Sequence, residues 1–203
     1  MKKIGILAST KATDLDSVVE AEKQGVFEAE ISLLVSDRKD ALCVERAGKH
    51  GIEAIFLNPK EFSSREEFDK AIIKELEKKK IDFIVCIGYM RLLSSLFVQK
   101  YKNRILNIHP SLLPAFPGMD LDVHKAVLEA GCKITGCTAH LIDEGKDSGA
   151  IVLQKVVEVK ENDTPESLKE RVQKAEQELL PIAIKLLIED KIVVDGKHAF
   201  VRE

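Results

Sequence analysis

The stretch Arg104-Ile105-Leu106-Asn107-Ile108-His109-Pro110-Ser111-Leu112-Leu113-Pro114-Ala115-Phe116-Pro117-Gly118 opens as a short apolar strand and then stops abruptly. Pro110 removes a backbone donor and biases His109 toward extended geometry. Pro114, Pro117 and Gly118 hold the chain beyond Pro110 in a loop. Asn107 and His109 therefore sit at the carboxyl end of a strand, two residues apart, where side chains share a face. An amide donor and a titratable imidazole then converge at the rim where open α/β sheets hold ligands. Taken locally, the pattern also fits a strand end with a satisfied Asn and a surface His.

Outward from this stretch, apolar runs and helical stripes alternate. Strands are expected at 4–8, 29–35, 52–57, 82–87, 135–142 and 151–159. Helices are expected from Leu15 to Gly25, at 41–50, from a Ser64 cap to Lys80, at 92–102 and 121–130, and from Pro165 to Glu189 with a bend at Pro181. Residues 192–194 and 199–201 read as a terminal hairpin. The alternation predicts one α/β domain over residues 1–203, Rossmann-like, with a mostly parallel twisted sheet flanked by helices on both faces.

The chain has 203 residues and a formal net charge of −3, which argues against general binding to nucleic acid or an anionic membrane. No apolar run approaches the ~18 residues of a membrane span. Met1-Lys2-Lys3 resembles the start of a signal peptide, but the apolar run at 4–8 is too short for its core. Cys43, Cys86, Cys132 and Cys137 lack paired metal-ligand spacing and read as reduced thiols of a cytoplasmic protein. The run Glu77-Lys78-Lys79-Lys80 reads as a solvated helix end.

Polar segments succeed several strands. Ser9-Thr10-Lys11-Ala12-Thr13-Asp14 leads into a helix whose free N–H groups suit an anion, with Thr13 or Asp14 as its cap. Gly88-Tyr89-Met90-Arg91 and the acidic loop 143–149 join Asn107 and His109, and in a parallel sheet all of these line one edge. An Asp beside a His holds its orientation and raises its pKa. An Asn amide donates to an oxygen gaining charge. The set suits acyl or formyl transfer in which the substrate supplies the nucleophile, since no Ser or Cys stands in a nucleophile-elbow pattern. Ser111 is a weak nucleophile candidate behind Pro110. His109, His124, His140 and Asp147 lack dense ligand spacing, so no metal is expected.

Asn107-Ile108-His109-Pro110-Ser111-Leu112-Leu113-Pro114 with Gly118 closely resembles the signature of the phosphoribosylglycinamide formyltransferase family, one of the folate-dependent formyltransferases. Asp143-Glu144-Gly145-Lys146-Asp147-Ser148-Gly149 resembles its second signature, Gly88–Arg91 a third, and Arg171-Val172-Gln173 with Glu176 a fourth. The likeness spans nearly the whole chain. It implies transfer of a formyl group from 10-formyltetrahydrofolate to the amine of glycinamide ribonucleotide, by a monomer or homodimer, without metal. Asn107, His109 and Asp147 fall on the family's catalytic trio, with Thr138 and His140 in support. Arg65, Met90, Arg91, Leu92, Leu93, Ile142, Asp143 and Glu144 fall on folate-binding positions. Thr10, Lys11, Ala12, Thr13 and Asp14 fall on the phosphate loop, and Glu176 on the ribose site. The resemblance thus gives the N-terminal half to nucleotide and phosphate and the C-terminal half to folate.

This chain departs from the family pattern in places. The phosphate loop is usually rich in glycine and asparagine. Here Ala12 fits only at negative φ, and Asp14 sets a negative charge near a dianion unless it turns to cap the helix, with Lys11 in compensation. Gly118-Met119-Asp120-Leu121-Asp122-Val123-His124 differs from the commoner loop, and Ala150 stands where proline is frequent. These departures bear on phosphate recognition and acceptor identity and leave the trio intact. The alternatives are a formyltetrahydrofolate deformylase, a sugar-nucleotide formyltransferase, and a non-catalytic folate- or nucleotide-binding module. Deformylases usually add an N-terminal domain, for which a strand beginning at Lys3 leaves no room. Methionyl-tRNA formyltransferases usually add a C-terminal domain and a basic surface.

Overall fold

Period-two burial explains how the sheet is covered on both sides. In the computed structural model, which describes residues 1–119 and 121–202, β1 (Lys2–Ala8) sends Ile4, Ile6 and Ala8 into one core and Leu7 into another. Asp120, in the loop between Gly118 and His124, lies outside the described residues. The first core also takes buried side chains of α1 (Leu15–Lys23), α2 (Leu42–Lys49) and α6 (Pro165–Ile188). The second takes those of α3 (Arg65–Lys78) and α4 (Ser95–Lys100).

The remaining strands are β2 (Ala29–Ser36), β3 (Ala54–Phe56), β4 (Phe83–Cys86), β5 (Ile105–His109), β6 (Ile134–Leu141), β7 (Ile151–Glu158), β8 (Ile192–Asp195) and β9 (His198–Val201). They form one sheet in the order β3-β2-β1-β4-β5-β6-β7-β9-β8, and α5 (Leu121–Glu129) joins β5 to β6. β1 through β5 pair in parallel, which fits their helical crossovers. β6 is antiparallel to both β5 and β7.

The element boundaries reflect local chemistry. Ser64 Oγ accepts the Glu67 N–H at 3.2 Å and starts α3. Thr164 and Ser167 form a reciprocal capping box at the start of α6, which continues through Pro181. The helix expected at 92–102 is shorter, because Ser94 caps it and holds residues 92–93 outside. Asp14 stands at the start of α1 but its side chain makes no cap hydrogen bond. The capping role expected of it is therefore absent.

Candidate active site

Asn107 and His109 lie on β5 directly opposite His140 and Thr138 of β6. Directly opposed residues share a face, so four polar side chains gather on one side of the sheet. Leu106, Ile108, Cys137, Ala139 and Leu141 point into the first core, so the four polar groups face the α3/α4 side.

The register changes the edge argument. β6 runs against β5, and Leu141 pairs with Leu106, so β6 ends beside the start of β5. The loop after it does not begin at the shared carboxyl edge. It folds back over the sheet face and brings Asp147 Oδ1 to 3.9 Å from His109 Nδ1. Three features build this return. A Cβ on Gly149 would lie 1.8 Å from the Leu141 carbonyl oxygen, so only glycine fits. Asp143 Oδ1 accepts from the Gly145 N–H at 3.0 Å and from Ser148 Oγ at 2.7 Å. Glu144 accepts from Ser95 Oγ and Gln99 Nε2 of α4. Asp147 adopts φ +51°, a left-handed conformation that aspartate tolerates.

Hydrogen bonds fix both tautomers. His140 Nδ1–H donates to the Leu141 carbonyl at 3.1 Å, so Nε2 accepts from Asn107 Nδ2 at 3.0 Å. The second N–H of Asn107 is left for a ligand. His109 Nε2–H donates to the Phe116 carbonyl at 3.1 Å, which leaves the Nδ1 lone pair toward Asp147. Burial lowers the pKa of His109, outweighing the raising effects of the Phe116 carbonyl and of Asp147. The raised value expected of this pair is thus reversed: His109 is only 3% exposed, and desolvation dominates. Burial likewise lowers His140.

Thr138 works behind this row. Its hydroxyl donates to the Ser111 carbonyl and accepts from the Leu113 N–H and Gln154 Nε2, which pins the proline loop. Ser111 Oγ donates to the Ala115 carbonyl at 2.6 Å. It is fully buried and fits loop structure, not nucleophilic attack.

A cleft of about 400 Å³ connects these groups to the other expected positions. Two sets of these line it, Thr10, Lys11, Ala12, Thr13, Asp14 and Glu176 in the first and Arg65, Met90, Arg91, Leu92, Leu93, Ile142, Asp143 and Glu144 in the second, and the Met90 N–H donates to Ser9 Oγ beside the first at 2.9 Å. Asn107, His109, His140 and Asp147 line it as well, while Thr138 does not. Cys86 and Gln173 also line it, with His124, weighed in the sequence only as a metal ligand, and Lys169, which the sequence reading did not single out. Lys169, Gln173 and Glu176 recur at helical spacing on α6, a signal that marks one face. Arg171, from the same segment, instead clamps Asp163 with two hydrogen bonds of 2.8 and 2.6 Å.

The first loop differs from its expected conformation. Ala12 has φ +44°, not a negative value. Its methyl group is 3% exposed within the first core. Burying one methyl recovers about 0.8 kcal/mol, against about 1–2 kcal/mol for a left-handed residue. Asp14 is buried, and desolvation pushes its carboxyl up to about 7, with Arg46 opposing.

The formyl transferase family matches residues 2–184 of the chain. The phosphoribosylglycinamide formyltransferase of Bacillus subtilis is 39% identical over 188 residues, covering 93% of this chain and 95% of its own length. The trifunctional purine biosynthetic protein adenosine-3 of Gallus gallus is 41% identical over 192 residues; the match covers 95% of this chain and 19% of that protein, so the chain spans about a fifth of its length. The crystal structure of glycinamide ribonucleotide transformylase 1 from Symbiobacterium toebii superimposes with a TM-score of 0.96 at 38% identity, over 100% of this chain and 95% of that one.

Proposed function

The chain belongs to the formyl transferase family, and we infer that it passes the formyl group of 10-formyltetrahydrofolate to the amine of glycinamide ribonucleotide in purine biosynthesis. The observation that carries the reading is the convergence of Asn107, His109, His140 and Asp147 in one cleft. Residues 10–14 take the acceptor phosphate and Glu176 the ribose hydroxyls. Arg65, residues 90–93 and 142–144 hold the folate. The chain works in the cytoplasm as a single domain, monomeric or homodimeric.

The amine nitrogen adds to the formyl carbon, and the carbonyl electron pair moves onto oxygen. The free N–H of Asn107 stabilises that oxyanion. The Nδ1 lone pair of neutral His109 takes the proton of the new ammonium, and the imidazolium so formed pairs with Asp147. Collapse breaks the bond to the folate nitrogen, which receives that proton from the His109 imidazolium, leaving formylated ribonucleotide, tetrahydrofolate and neutral His109. Binding alone requires no such arrangement of base and oxyanion donor.

The test is a formyl-transfer assay with 10-formyltetrahydrofolate, with and without glycinamide ribonucleotide. Folate release that depends on the amine, together with formylated ribonucleotide, is expected. Folate release without amine identifies a hydrolase instead, and absence of turnover under either condition rejects the reading.

A further inference from the structure

Helix α2 contributes nothing to the lining of the cleft, yet it grips the loop at residues 10–14 that does line it. The Cys43 N–H donates to the Thr10 carbonyl at 3.1 Å, and Arg46 Nε–H donates to the Lys11 carbonyl at 3.0 Å. The next carbonyl, of Ala12, accepts the Leu15 N–H at 3.0 Å. In a trans peptide the C=O and N–H of one unit point in opposite directions. Three successive carbonyls engaged by donors of α1 and α2 therefore turn the N–H groups of Lys11, Ala12 and Thr13 the other way, toward the cleft these residues line. The left-handed Ala12 makes successive amides converge on one point, the geometry of an anion nest.

Of the three anchors, only the one on Lys11 comes from a side chain. The guanidinium that provides it is itself held. Arg46 Nη1 pairs with Asp16 of α1, whose other oxygen meets His50 Nε2 at 2.7 Å. The fork of the guanidinium is what lets one side chain hold a carbonyl and a carboxylate together. We propose that Arg46 is a positioning residue for the acceptor: by fixing the Lys11 carbonyl, it presents the amides of residues 11–13 to the acceptor's phosphate. The proposal rests on the proposed function, in which this loop takes that phosphate.

The test compares the wild type with Arg46→Met and Arg46→Lys, using glycinamide ribonucleotide and its dephosphorylated ribonucleoside as acceptors, with thermal unfolding measured alongside. Arg46→Met is expected to raise KM for the ribonucleotide by about ten- to a hundredfold, the scale of one charge-assisted hydrogen bond. Its kcat and its KM for the formyl folate are expected to stay unchanged, as is kcat/KM for the ribonucleoside. Arg46→Lys keeps the charge but lacks the fork, and is expected not to restore the ribonucleotide KM. Full restoration by lysine overturns positioning in favour of plain charge attraction. An unchanged ribonucleotide KM in Arg46→Met overturns it outright. A wild type that uses the two acceptors equally well overturns the phosphate reading of the loop and the proposal with it. If Arg46→Met unfolds under assay conditions, Arg46→Lys carries the test alone, and normal KM then rejects the proposal.

Discussion

Burial sets how the ionisable residues of the cleft behave. His109 is held neutral, with its pKa lowered mainly by desolvation, and Asp147 pulls against that effect. In the proposed mechanism the reactive form is the neutral imidazole, so activity is expected to fall as pH drops through the lowered value, below the usual imidazole range of about 6.5. Asp147→Asn removes a charge that raises the His109 value. Its acidic limb is expected to move to lower pH while kcat falls, and a kcat–pH profile with an unmoved limb would rule out the pairing. For Asn107→Ala, loss of one oxyanion donor is expected to cost about 10²–10³ in kcat, measured under saturating substrates. Asp14 has the opposite sense to a paired carboxylate. Its folded value of about 7 lies above the ordinary 3.8, so the folded state binds the extra proton between those limits. The contribution of Asp14 to stability is therefore fully present below about pH 4, declines as pH rises toward 7, and is flat beyond. Asp14→Asn is expected to flatten that decline in denaturant titrations between pH 5 and pH 8. An equal slope in both proteins would show that the carboxyl ionises without penalty.

At the scale of elements, two segments decide how much of the site was legible. The β5 stretch was legible in full, because Pro110 marks where the strand stops and two-residue spacing puts Asn107 beside His109 on one face. The loop at residues 10–14 was legible as part of the cleft lining but not as a conformation. A left-handed Ala12 goes against the preference of an L-residue, and only tertiary packing of its methyl compensates. The pairing of His109 with Asp147 came from the resemblance alone. Alternation of strands and helices suggests a parallel β6, whereas the antiparallel pairing puts the end of that strand on the far side. Long-range register of this kind has no local signal. The sign of the His109 shift failed for a related reason, since burial depends on the whole fold. The near-balance at Ala12 yields a sharp contrast. Ala12→Gly loses the methyl and the strain together and is expected to lie within about 1 kcal/mol of the wild type. Ala12→Val adds a β-branch at positive φ and is expected to unfold at clearly lower denaturant. Equal midpoints for glycine and valine would mean that residue 12 relaxes out of the left-handed region.

At the scale of the molecule, the cleft crosses the carboxyl edge of β1, β4 and β5, and each set of its lining residues draws on both halves of the chain. Residues 10–14 line it with Lys169, Gln173 and Glu176 of α6, and Arg65 and residues 90–93 line it with residues 142–144. Gln173 Nε2 donates to Thr13 Oγ1, tying the first loop to the last long helix. A ligand on either set thus bridges segments far apart in sequence and stabilises the whole fold by mass action. At a hundred times its dissociation constant, a ligand adds about 2.7 kcal/mol, which for a chain of this size raises Tm by about 5–10 °C. Tetrahydrofolate and glycinamide ribonucleotide, added separately, are each expected to give such a shift in the wild type. The two sets meet where the Met90 N–H donates to Ser9 Oγ at 2.9 Å and Thr10 Oγ1 donates to the Gly88 carbonyl at 3.4 Å, and residue 12 stands outside those bonds. In Ala12→Val, the ribonucleotide shift is expected to vanish while the folate shift keeps its size, scored against that variant's own ligand-free Tm. Loss of both shifts together would mean that the two sets form one cooperative unit. A folate shift lost with the ribonucleotide shift retained would mean that the two ligands occupy the sets the other way round.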